Sequence, residues 1–273
     1  MEHFECNRIV TGDCFEVLPK LDFESVAACI TSPPYALQRK GQYGGVSEDK
    51  YPIWTMKWMS ELRPKLTRKG SVLIVIRPHL EKGQVSDYVM NTRRLLRKDK
   101  WVECEELIWE KKDAPPLGSI CRPRRTYESI LWYSKTPHPY INLRACGSES
   151  DRTGGFYGST RFATGKNMPV HAGQKQEDKT GISRVSDVFT ANVGNIDPGI
   201  EHPAMYPRSL TDQLVLTFSR PDEKILDPFC GSGTTCLSAV ALGRQAIGIE
   251  KVEKYAIIAR QRLSELLSSL PKS

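Results

Sequence analysis

KILDPFCGSGTTCLSAVALGRQAIGIE, residues Lys224 to Glu250, decides how this chain folds. Ile225 and Leu226 read as a short buried strand. DPFCGSGTT (Asp227 to Thr235) is a glycine-rich turn, and a helix follows from Thr234 to Leu242, closed by Gly243. Ala246 to Ile249 is the next strand, ending on Glu250. Strand, turn, helix and strand in that order predict a parallel pair with a helical crossover. Gly231 and Gly233 allow positive φ and a close approach of backbone to a ligand. Glu250 lies about twenty residues beyond the turn, where a carboxylate can hold a ribose diol. A phosphate loop would need Gly-Lys-Ser/Thr after the glycines, and Thr234-Thr235 is not that. A dinucleotide loop would want a third glycine where Cys236 stands. A nucleoside without phosphates fits better than either, although a tight turn with an exposed acid at a strand end would read the same way.

The same alternation runs through the first half. Val26 to Ile30 (VAACI) and Ser71 to Ile76 (SVLIVI) are predicted strands, the second introduced by the turn signal Lys69-Gly70. Apolar residues at helical spacing fill Ile53 to Leu66, and Ser86 is placed to cap a helix through Leu96. Glu103–Trp109 and Glu128–Ser134 are further predicted strands. At the other end, Pro207 to Ser219 and the segment carrying Tyr255, Ile258 and Leu263 have helical periodicity. The predicted class is α/β, with a mostly parallel sheet and helices on both faces.

The first strand runs into Thr31-Ser32-Pro33-Pro34-Tyr35. An exocyclic amine on a heterocycle is a poor nucleophile, because its lone pair is conjugated into the ring. A catalyst for it needs acceptors that turn the N–H bonds until the lone pair faces an electrophile. The Ser32 hydroxyl and the Pro33 carbonyl are such acceptors, the latter stiffened by the following proline. Tyr35 offers a face for a flat base, worth about 1–3 kcal/mol of stacking. A diproline turn with no chemistry is the plain alternative.

From about Lys135 to Gly199 the chain is polar and has few apolar runs. A loop of that length either binds something or is a flexible insertion. Arg161, Lys166 and Arg184 within it would suit a nucleic-acid surface. Basic residues also cluster at Arg93–Lys100 and in Cys121–Tyr127, which carries Arg122, Arg124 and Arg125. With a net charge of +7, either cluster is solvated surface or part of a polyanion track. The 273 residues suit one large domain, or one with an insertion. No apolar run approaches the roughly 20 residues of a membrane span. The stretch MEHFECNRIV has no signal-peptide layout. The 8 cysteines form no Cys-x-x-Cys pair, so free thiols in a cytoplasmic setting are expected and no metal site is.

TSPPY and DPFCGSGTT together resemble the amino-methyltransferases of DNA that use S-adenosylmethionine. The catalytic motif comes early and the cofactor loop late, which is similar to the circularly permuted β class. The resemblance implies a Rossmann-like methyltransferase fold with a permuted sheet. It divides the chain into a catalytic half (1–135), an irregular target-recognition insertion (136–199) and a cofactor-binding half (200–273). It implies catalytic roles for Ser32, Pro33, Pro34 and Tyr35. Cofactor contacts are implied for Asp13, Thr31, Pro207, Asp227, Phe229, Gly231, Gly233, Thr234, Thr235 and Glu250. Asp13 would meet the adenine, and the segment His202–Pro207 the methionine end. RPRRTYESILWYSK (Arg122 to Lys135) resembles the strands flanking the base pocket. Expected partners are double-stranded DNA and a cognate restriction endonuclease, with the enzyme a monomer or homodimer in the cytoplasm of a prokaryotic cell, or encoded by a phage. In this family serine at the first motif position accompanies cytosine-N4 methylation, so Ser32 implies cytosine, with adenine-N6 as the alternative. Methyltransferases of RNA or protein amines share the motif but run cofactor loop first. A DNA-binding module without catalysis would not need both motifs, and a nicotinamide oxidoreductase is disfavoured by Cys236.

Overall fold

The computed structural model describes residues 6–36, 45–114, 121–149, 182–193 and 206–271. In chain order the strands are β1 (Arg8–Thr11), β2 (Val26–Thr31), β3 (Leu66–Ile76), β4 (Leu80–Glu81), β5 (Gln84–Val85), β6 (Val102–Glu110), β7 (Tyr127–Ser134), β8 (Val188–Thr190), β9 (Lys224–Asp227) and β10 (Gln245–Glu250). The helices are α1 (Cys14–Val17), α2 (Tyr51–Leu62), α3 (Tyr88–Lys98), α4 (Arg208–Phe218), α5 (Thr234–Ala241) and α6 (Glu253–Ser269), with one 3-10 turn at Leu18–Lys20.

Among the described residues, eight strands form one sheet in the order β1-β10-β9-β2-β3-β7-β6-β8. Every neighbouring pair is parallel except the two made by β7, which is antiparallel to both β3 and β6. The mostly parallel sheet expected from the sequence is therefore present. All six residues of β2 are buried, as expected for a strand covered on both faces. Helices α2 and α3 pack on one another, as do α4 with α5 and α5 with α6. Val26, Cys29, Leu66, Val72, Ile74, Leu226 and Ile247 form much of the core between sheet and helices.

Local readings shift in physically legible ways. The helix expected to reach Leu66 stops at Leu62, because Pro64 follows at once and Leu66 already pairs with Val26 in the sheet. Lys69-Gly70 does not open β3 but sits inside it. There the β2–β3 register jumps from Val26↔Leu66 to Ala28↔Ser71, so the signal marks a bulge. A Cβ on Gly70 would lie 2.7 Å from Leu66 Cγ and 3.0 Å from the Ala27 carbonyl oxygen. Ser86 caps nothing: its amide bonds the His79 carbonyl, and α3 begins at Tyr88.

By contacts the chain divides into a unit of Met1–Asn142 with Asp187–Ser273, and a second unit of Leu143–Ser186. The first holds the sheet, including β8 from within 136–199. In the second, described residues form a small clasp, with a bridge between Glu149 and Ile182 and an amide bond from Val185 to Leu143 at 2.7 Å.

Candidate active site

Chain direction locates a crevice. From β2 the chain moves through α2 to β3 on one side, and from the adjacent parallel strand β9 it moves through α5 to β10 on the other. Neighbouring parallel strands whose connections leave in opposite directions open a cleft at their carboxyl ends. The residues at those ends are Thr31, leading into Ser32–Tyr35, and Asp227, leading into the glycine turn.

A hydrogen bond joins these two ends across 196 residues of sequence: the Thr31 hydroxyl donates to Asp227 Oδ1 at 2.6 Å. The Phe229 amide donates to the same oxygen at 3.1 Å, and the Tyr206 hydroxyl to Oδ2 at 2.9 Å. Tyr206 also bonds Thr235 Oγ1, whose hydroxyl reaches the Ile30 carbonyl at 3.3 Å. Burial raises the Asp227 carboxyl above its ordinary range, against the pull of these donors. Asp227 is thus the knot that ties the glycine turn to the TSPPY strand.

The turn itself is built as its glycines suggest. Gly231 has φ 52° and Gly233 φ 86°, and Gly233 is the N-cap of α5. Thr234 and Thr235 are buried in the first turn of that helix. The Glu250 side chain closes over the turn. Its Oε2 accepts the Gly231 amide and its Oε1 the Val252 amide, both at 2.8 Å. Burial raises the Glu250 carboxyl too, with the nearby Asp227 charge adding to it and the amides opposing. Two buried carboxylates, backbone amides and glycine at the left-handed positions suit a ribose and a positively charged group better than a phosphate.

Phe229 lies between two tryptophans of α2, with ring centroids 5.3 Å from Trp54 and 5.5 Å from Trp58. Pro207 is buried at the N-cap of α4. Asp13 caps α1 through the Phe15 amide at 3.0 Å, and its other oxygen holds Lys251 at 2.9 Å. Burial alone would raise the Asp13 carboxyl, but Lys251 and the Phe15 amide together bring it below its ordinary value. Because Lys251 follows Glu250, this pair brings Asp13 to the same strand end.

In the TSPPY loop, Pro33 is buried while Ser32, Pro34 and Tyr35 are half-buried. The Ser32 hydroxyl lies 3.5 Å from that of Tyr35. Tyr35 donates to Glu128 Oε2 at 2.5 Å, and the other Glu128 oxygen pairs with Lys111. Nothing in the sequence pattern singles out Trp54 or Lys111 for the site, and Glu128 lies inside the quoted segment Arg122–Lys135 without being marked there. Tyr206 lies inside the quoted segment His202–Pro207, but its pairing with Asp227 is not legible there.

The expected DNA-contact residues separate into groups. Arg122, Arg124 and Arg125 precede β7, and each donates to a carbonyl: Gly83, Ala114 and Pro78 respectively. Arg124 and Arg125 share a groove with Arg77, Met90, Arg93 and Tyr127. Burial lowers the Arg125 guanidinium, and the like charges of Arg77 and Arg122 lower it further. Arg184 is exposed in the second unit. Arg161 and Lys166 lie outside the described residues, as do His202–Met205.

Comparison with known proteins gives a consistent result. Residues 26–261 match the DNA methylase family. The type II methyltransferase M.HinfI of Haemophilus influenzae is 25% identical over 276 residues, spanning 95% of this chain and 69% of that protein. The structure of the PvuII DNA methyltransferase (cytosine-N4-specific) aligns at a TM-score of 0.71 and 20% identity, over 97% of this chain and 93% of that one. The protein TTHA0409 of Thermus thermophilus, solved complexed with S-adenosyl-L-methionine, aligns at 0.62 and 23% identity over 96% of this chain and 95% of that one.

Proposed function

The chain belongs to the DNA methylase family, and on that premise we propose that it moves the methyl group of S-adenosylmethionine to the exocyclic N4 amine of cytosine in double-stranded DNA. The observation that carries this reading is the Thr31–Asp227 bond of 2.6 Å. It fixes the amine-accepting loop against the nucleoside loop in one crevice, so that two bound reactants share a mouth.

The residues divide the work. Glu250 and the Gly231–Gly233 turn hold the ribose, and Asp13 the adenine amine. When bound, S-adenosylmethionine supplies a methyl group on a positively charged sulfur. The target base leaves the duplex stack to reach the crevice, and Tyr35 receives its face. Ser32 Oγ and the Pro33 carbonyl accept the amine hydrogens and turn the lone pair outward. The gain is one of orientation and fixed dipoles, with no strong base needed before attack.

Cytosine is favoured over adenine by Ser32 at the first motif position, and the cytosine-N4-specific PvuII enzyme supports that choice among proteins of this fold. The arginines before β7 form the approach for the phosphate backbone, and residues 136–199 read the sequence. Methylated DNA digested to nucleosides and weighed tests the proposal. N4-methylcytosine is the expected product. N6-methyladenine would move the enzyme to the other branch of the family, and no methylated nucleoside with active label transfer to RNA or protein would overturn the substrate.

A further inference from the structure

Glu128 is a charged residue in a place where charge is costly. Only 7% of its surface is exposed. It is the second residue of β7, the one reversed strand, so it lies at the edge where β3 ends: Ser129 pairs with Ile76 and Glu128 with Trp109. Lys111, just past the end of β6, is also buried, and its ammonium sits 4.1 Å from the centroid of the Trp109 ring. The Lys111 backbone is held in turn by its amide bond to the Thr126 carbonyl at 2.7 Å. One Glu128 oxygen takes the Lys111 ammonium and the other takes the Tyr35 hydroxyl at 2.5 Å. A buried ion pair of this kind contributes little net stability over apolar packing. Its specific product here is direction: Tyr35, on a loop, is pinned at its far end to a carboxylate on the sheet.

We propose that Glu128, anchored by Lys111, is a positioning residue that fixes the plane of the Tyr35 ring for the base it receives. The inference rests on the reading of Tyr35 as the base platform. A tyrosine held only at Cβ sweeps its ring about two torsions. The hydroxyl bond removes that freedom before the base arrives, so the ordering entropy is not charged to binding. Burial and the Glu128 charge push the Tyr35 phenol well above its ordinary value. The Ser32 hydroxyl, 3.5 Å from the same phenol oxygen, inherits part of that alignment.

A double-mutant cycle tests the clamp on the full chain. Tyr35→Phe keeps the ring and loses the bond; Glu128→Leu keeps about the volume and loses the acceptor. Single-turnover methyl transfer is measured for each on a duplex carrying the sequence found modified in an expressing host, with S-adenosylmethionine affinity by calorimetry. Each single variant is expected to lose about tenfold in rate, and the double variant no more than either, because both remove one bond. Cofactor affinity is expected to stay within about twofold, since a merely destabilised fold would lower both. Losses that multiply in the double variant overturn the clamp. So does a Tyr35→Phe rate equal to that of the parent, a result that stands even if Glu128→Leu fails to fold. The unsubstituted protein is run alongside: its inactivity on DNA would overturn the proposed function, whereas an active parent with an unaffected Tyr35→Phe overturns the clamp alone.

Discussion

Asp227 and Glu250 are both buried acids at the ends of neighbouring strands, yet they do different jobs. Asp227 is committed to Thr31, Tyr206 and Phe229. Asp227→Ala would leave the Thr31 hydroxyl and the Phe229 amide without this acceptor and Tyr206 with Thr235 alone, at about 1–3 kcal/mol for each buried donor left unpaired. We expect a loss of about 3 kcal/mol or more in urea unfolding, with weaker S-adenosylmethionine binding following from the loosened turn. Glu250 takes two amides at the rim of the turn. Glu250→Gln removes the charge proposed to hold the ribose while keeping one acceptor. It should weaken cofactor binding by about tenfold, roughly one charge-assisted hydrogen bond, with a smaller loss of stability. Equal stability losses in the two variants would show that the distinction is wrong. Sequence spacing is enough to nominate Glu250, since ribose acids recur at a fixed interval after a glycine turn. It cannot reveal that Asp227 meets Thr31, because only the sheet order makes them neighbours.

Elements that carry their own periodicity are readable from the sequence, and elements defined by their neighbours are not. β2 and the end of β3 are continuous apolar runs, and both are legible as strands. β1 is four residues with Ile9 alone fully buried, and β8 is three residues with Phe189 alone buried. Neither is long enough to alternate, so both exist only by pairing with β10 and β6. The same dependence explains the glycine turn. Cys236 stands where a dinucleotide loop keeps a third glycine for close helix–strand packing, and the structure supplies the small residue from the opposite side. On β10, a Cβ at Gly248 would lie 2.6 Å from Ile9 Cδ1, 2.8 Å from Cys230 Sγ and 2.9 Å from Cys236 Sγ. Gly248 therefore lets the turn and α5 settle on the sheet. Gly248→Ala should cost about 1–3 kcal/mol by overpacking, lower the thermal midpoint, and reduce the further rise that S-adenosylmethionine confers. An unchanged midpoint would mean that the two thiols simply move aside.

At the scale of the whole molecule, composition reveals the amount of charge but not its disposition. The two basic clusters look alike in sequence and line one groove, and only their partners tell them apart. In α3, Arg93 is held by Glu103 at 2.5 Å and Glu106 at 2.6 Å, and Arg97 lies 3.3 Å from Glu103. Their charge is largely neutralised before any partner arrives. Among the described residues, no carboxylate pairs with Arg122, Arg124 or Arg125, whose hydrogen bonds go to carbonyls. Those three carry charge that no carboxylate offsets, in the segment just before the strand that holds Glu128. Each phosphate neutralised releases counterions from the duplex, so affinity falls with salt in proportion to the number of such contacts. Arg122→Ala, Arg124→Ala and Arg125→Ala should each lower the slope of log affinity against log salt by about one and weaken binding to all DNA sequences alike. Arg97→Ala, which removes an arginine already paired, should leave the slope where it was. Fluorescence anisotropy with a labelled duplex between about 50 and 200 mM salt resolves the difference. Should Arg97→Ala flatten the slope as much as the others, the phosphate track takes in α3 as well as the segment before β7, and pairing with a carboxylate does not withhold an arginine from it.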